Sequence, residues 1–220
     1  MLRRHVTTRI EDRPHDDLLS DKADRVLFPT VIFMDGQGEP LAVVPDLQTV
    51  AKYDALLGTV RRYLELRKRR DAGDETVATD FAIAACELGQ VDFDELEADL
   101  EGVKLSEEQK ARVAQLRVNA AVRIRFLITR KQRNSEESLK AATEEFLKLL
   151  KDGPEPDLGG DEERMFWHLV WRHGHGAGDV AAMERALKGM RRLAADSDSA
   201  RAREFLERLE KELEAAKEAK

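Results

Sequence analysis

Two periodicities divide the chain. Up to about residue 45 the apolar residues come in short runs, and from Asp46 onward they recur at steps of three and four. The β-branched stretch His5-Val6-Thr7-Thr8-Arg9-Ile10 predicts a strand. After the break at Arg13-Pro14, with Asp16 and Asp17 as capping residues, a short helix over 16–23 is expected. Residues 27–34 and 39–44 are apolar runs joined by Asp35-Gly36-Gln37-Gly38, which predicts a β-hairpin. The first run is almost continuously apolar, as in a strand covered on both faces.

The helical period begins with a long amphipathic helix over 46–70, carried by Val50, Tyr53, Leu56, Leu57, Val60, Leu64 and, less tightly, Leu66. Asp71-Ala72-Gly73-Asp74 combines a helix stop with an N-cap and marks a domain boundary, giving domains at 1–72 and 73–220. Only helices are expected beyond it. Phe81, Ala84, Ala85 and Leu88 form one stripe and Ile83 and Cys86 another, so that helix is sandwiched between neighbours. Ser106-Glu107-Glu108 opens a long helix with a stripe through Val113, Leu116, Ala120, Ile124, Leu127 and Ile128. Ser135 caps another helix, which carries Leu139, Ala142, Phe146, Leu147 and Leu150. The Gly- and Pro-rich segment 153–160 is a loop, followed by helices over 165–171, 182–193 and 205–219. The expected fold class is α+β and mostly helical. Its helical hairpins resemble tetratricopeptide-type units in architecture, but no repeat of about 34 residues recurs.

Composition narrows the possible partners. Of 220 residues 37% are charged and 5% aromatic, and the net charge is −7, so neither nucleic acid nor an anionic membrane is the default partner. The longest apolar runs are far below the roughly 18 residues of a membrane span, and no apolar segment follows Met1-Leu2-Arg3-Arg4. As written, the chain is expected to be cytoplasmic; an upstream segment would leave export open.

The run Phe28-Pro29-Thr30-Val31-Ile32-Phe33-Met34-Asp35-Gly36-Gln37-Gly38-Glu39 resembles the second half of a thioredoxin fold. In that family a strand begins at a cis proline and turns at Asp-x-x-Gly into an antiparallel partner. The strand at 5–10, the short helix at 16–23 and the long helix from Asp46 fit the family order βαββα over about the first 70 residues. The resemblance implies that Pro29 forms the bend, and that Phe28, Pro29 and Thr30 make a substrate- or peptide-facing wall. A cis bond is least costly at proline, which is why such a bend is built there.

The family's Cys-x-x-Cys pair is missing. Cys86 is the only cysteine, and a dithiol cycle needs two. The resemblance further implies that the family's first core strand and its cysteine-bearing helix would lie upstream of residue 1. Three arrangements follow: a fragment, direct pairing of the two remaining strands, or cover from another chain. An open strand edge is also a route to a homodimer.

Other candidates have plainer readings. Cys86 lies in an Ala-rich helix with no His or Lys beside it, as a small buried hydrophobe would. His168 and His173 are five residues apart, about 140° on a helix, too far round for one metal. With Glu162, Glu163 and Asp179 nearby, His173 and His175 are the metal candidates that remain, if they converge in a Gly-rich turn. The plainer reading is a helix end with histidine near its negative dipole and two tryptophans in the core. The basic residues of 61–70 and 123–133 lack interleaved aromatics and read as solvated helix faces. No phosphate loop, Ser/His/Asp arrangement or paired catalytic carboxylates stand out, and no cofactor is expected.

The expected function is a redox-inactive or truncated thioredoxin-like module that binds protein or peptide. The alternatives are a thiol-disulfide oxidoreductase whose Cys-x-x-Cys lies upstream or in a partner, and a helical scaffold.

Overall fold

A computed structural model describes residues 31–44, 50–195 and 199–218. The expected strand at 5–10, the short helix at 16–23 and the Phe28-Pro29-Thr30 wall lie outside the described residues.

The hairpin forms where the apolar runs place it. Strand β1 (Val31–Met34) pairs antiparallel with β2 (Pro40–Val44), Ile32 opposite Val43 and Phe33 opposite Ala42. A bulge then shifts the register so that Met34 faces Pro40. Leu41 is the extra residue, and both Leu41 and Ala42 are buried although strict alternation would expose one of them. All four β1 residues are half-buried. Asp35 holds the turn: its Oδ1 accepts the N–H groups of Gln37 at 2.9 Å and Glu39 at 3.0 Å. Gly38 takes φ 86°, where a side chain would be strained.

Helix α1 (Val50–Asp71) packs under the hairpin through Leu56, Val60, Tyr63 and Leu66. The inward stripe is therefore turned from the expected one: Tyr63 is buried, and Val50 is 77% exposed. Arg67 reaches from α1 to the turn and donates to Asp35 Oδ2 at 3.0 Å. The hydrogen bond from the Glu39 amide, followed by that from Arg67, holds the Asp35 carboxyl below its ordinary range. Asp35→Ala is therefore expected to loosen the turn while leaving the helices intact. Faster amide exchange confined to 35–44 would show it, and unchanged exchange there would contradict it.

Gly73 (φ 87°) ends α1, and Asp74 caps a short 3-10 turn (Glu75–Val77) by accepting Thr76 N–H at 3.1 Å. Helix α2 (Ala78–Glu87) follows. Its Ala84, Ala85 and Leu88 join Val60, Tyr63, Leu66, Leu41 and Ala42 in one core, with Tyr63 stacked on Phe81 at 5.1 Å. The 71–74 turn thus joins two helices of one core, and the two compact units divide at Gln109/Lys110. Gln90 donates to Leu41 O at 2.9 Å, fastening the end of α2 to β2. Helix α3 (Phe93–Asp99) starts at a reciprocal capping box between Asp92 and Glu95.

Helix α4 (Glu107–Lys131) opens with a second such box, Ser106 with Gln109. The second unit continues through α5 (Glu136–Asp152), α6 (Gly160–Ala177), α7 (Val180–Ala194) and α8 (Ala200–Glu218). Ser135 caps α5, accepting Ser138 N–H at 3.3 Å. Its core joins Val118 and Val122 of α4, Phe146 of α5, Phe166, Trp167 and Trp171 of α6, Met183 of α7 and Leu209 of α8. Phe166 lies 4.7 Å from Phe146 and edge-on to Trp167 at 4.9 Å. The described residues are mostly helical, with one small antiparallel sheet.

The stripe expected on α4 needs correction. The buried residues are Val113, Val118, Val122, Phe126 and Thr129, whereas Ile124 is 53% and Leu127 52% exposed. The helix carries apolar residues on two faces, each at steps of three and four, and apart from Val113 the buried one is not the one expected.

Candidate functional site

The hairpin and the face of α1 beneath it are the described part of the region the sequence singles out. Phe28, Pro29 and Thr30 directly precede β1, which the Asp35 turn and the bulged partner strand then position. On the side of the hairpin away from the core, Val43 is exposed, opposite Ile32. The order hairpin then helix, with the helix packed against the hairpin, is in place.

Cys86 lies on α2, half-buried beside the buried Ala85. It sits in the layer behind the hairpin, and the chain has no second thiol to resolve a mixed disulfide.

The histidine expectation is corrected. Gly174 and Gly176 are helical rather than a turn, because α6 runs on to Ala177 and stops only at Gly178, whose φ is 67°. His173 and His175 are exposed and two residues apart on a helix, about 160° apart around its axis, so they point away from each other. Among the described residues no group of three or more His, Cys, Asp or Glu side chains is placed to hold a metal ion. Trp167 and Trp171 are buried in the core and His175 lies in the last turn.

Several of the basic residues are engaged within the fold. Arg62 pairs with Glu87, Arg67 with Asp35 and Arg69 with Asp74, and Arg70 lies over the Phe81 ring at 4.5 Å. On α4, Arg125 pairs with Glu145 and Arg130 lies over Phe126 at 5.5 Å.

Among the described residues, the buried polar side chain with the most hydrogen bonds is Glu163, and its partners all belong to the fold. One oxygen accepts the N–H groups of Leu158 at 2.9 Å and Gly159 at 2.8 Å; the other accepts Trp167 Nε1 at 3.0 Å and the Arg192 guanidinium. Burial alone would push its carboxyl up, but these four donors together outweigh it and hold the group below its ordinary value of 4.5. Arg192 also donates to Pro156 O at 2.6 Å. Asn119 and Gln115 of α4 bind the same loop at Asp157 and at Glu155 O. Segment 153–159, legible as a loop, is thus fixed at both sides. In the sequence Glu163 is one of three adjacent acids, and the signal that separates it from exposed Asp161 is its place three and four residues before Phe166 and Trp167, on the stripe that is buried.

Comparison with known proteins yields no matching family, no matching curated protein and no matching solved structure. Among the described residues no helix is long and apolar enough to cross a membrane.

Proposed function

We propose that the chain is a protein- or peptide-binding module in which a thioredoxin-like segment, without that family's redox cysteines, precedes a helical-hairpin unit of tetratricopeptide-like architecture. The observation that supports this reading is the hairpin at 31–44. It starts directly after Phe28-Pro29-Thr30, turns at Asp35 as the family's Asp-x-x-Gly turn does, and packs on the helix that follows it. By the resemblance, a bound polypeptide would lie along Phe28 and Pro29, whose counterparts in the thioredoxin-like family offer backbone groups to an extended chain. With Cys86 alone, in a helix behind the hairpin, the chain has no two-thiol cycle of its own. A cysteine pair from a partner chain would turn the same wall into the substrate face of an oxidoreductase.

The test is binding of a cysteine-free unfolded polypeptide to the full chain, followed by fluorescence anisotropy. Phe28→Ala and Pro29→Ala are each expected to weaken binding by about tenfold, with the far-ultraviolet spectrum unchanged. Wild-type affinity in both variants would overturn the reading.

A further inference from the structure

The sequence and the fold disagree about α4 in an informative way. Its regular apolar stripe, Leu116, Ala120, Ile124 and Leu127, lies on the side opposite Val118 and Val122, which enter the core, and the buried Thr129. A helix apolar on two faces normally buries both. Here the core covers one, and Ile124 and Leu127 stand more than half exposed, one turn apart. Leu116 and Ala120 are half-buried, so the open part of the stripe is the adjacent Ile124 and Leu127 pair, two large apolar side chains in register on one face rather than scattered singly.

Charge says what covers it. Between Gln109 and Ser135 there is no acidic residue, although the chain as a whole carries −7. Arg123, Arg130 and Lys131, all exposed, flank the Ile124 and Leu127 pair. A second copy of this helix laid on the stripe would set these cations against one another, which disfavours a homodimer here. An acidic amphipathic helix would instead put its apolar side chains on Ile124 and Leu127 and its carboxylates against the rim.

We infer that the exposed face of α4 is a docking site for an acidic amphipathic helix of a partner protein. This site lies in the second unit and does not depend on the thioredoxin-like reading. The apolar pair supplies affinity, and the basic rim supplies orientation and salt sensitivity.

The experiment is selection of a displayed library of helical peptides on the full chain, followed by affinity measurements on the enriched sequences. Acidic sequences with apolar residues at steps of three and four are expected. Ile124→Asp and Leu127→Asp, both at exposed positions, should each weaken binding at least about tenfold. The double variant Arg123→Glu with Lys131→Glu should shift the preference toward basic peptides. Enrichment without acidic bias, or affinities indifferent to Ile124→Asp, would overturn the proposal. So would self-association abolished by Leu127→Asp, or single-stranded DNA or anionic vesicles binding this face more tightly than any acidic peptide.

Discussion

Replacing Gly189 with alanine is expected to destabilise the second unit by about 3 kcal/mol, because among the described glycines it has the closest contact for an added Cβ. Gly189 sits in the middle of α7, buried against the indole of Trp167 on α6. A Cβ at this position would fall on ring atoms, well inside the 3.0 Å that real Cβ atoms keep from their neighbours. Trp167 is fully buried, edge-on to Phe166 and hydrogen-bonded to Glu163, so its ring has nowhere to withdraw without breaking one of these contacts. The gain of about 0.5–1 kcal/mol that alanine ordinarily brings to a helix interior is too small to compensate. Gly176→Ala is the control: its Cβ meets nothing within 4 Å, and it should be neutral or slightly stabilising. Denaturant unfolding followed by tryptophan fluorescence checks both. An unchanged midpoint for Gly189→Ala would mean that α6 and α7 are not packed at this distance.

The second large effect is at Glu163. Glu163→Ala removes the acceptor of two backbone amides and the Trp167 N–H and leaves Arg192 only the Pro156 carbonyl, and should cost about 3 kcal/mol. The figure is at the low end for a broken buried pair because Arg192 keeps part of its side chain in water. The pH dependence has a definite sign. The folded-state pKa is lowered, so the unfolded chain binds the proton more readily. The stabilisation is complete above the ordinary value of 4.5 and is lost as pH falls through the lower folded-state value. Unfolding midpoints measured at neutral pH and at steps below 4.5 should therefore fall for the wild type, and the gap to Glu163→Gln should narrow as the pH is lowered. Parallel curves for the two proteins would show that Glu163 does not bind its partners as a carboxylate.

Both effects lie where the sequence is least readable. The helices at α6 and α7 follow from their apolar period, but Gly189 looks like a weak point in a helix until its neighbour is known. An isolated glycine inside a strong helical pattern signals close packing without naming the partner. Glu163 falls in step with Phe166 and Trp167, but its partners are not legible for the same reason: its role depends on a loop folding back onto it. The hairpin and the stop at residues 71–74 are legible because turn chemistry is local. The capping box at Asp92 was equally available in the sequence, as an Asp with Glu three residues later. Helix α4 shows the limit of periodicity. Its start at Ser106-Glu107 is where expected, but two apolar faces satisfy the same period, and only packing decides which enters the core. The candidate histidines fail differently, since the glycines taken for a turn are spanned by a helix whose other residues hold it together. The compact units, too, divide by shared core rather than by the strongest turn.

The most direct measurement is amide hydrogen exchange of the full chain with and without a saturating cysteine-free unfolded polypeptide. The proposed function predicts new protection over residues 28–34 and in β2, with Val43 among the affected positions. Protection confined to the helices of the second unit, with the hairpin segment unchanged, would contradict it.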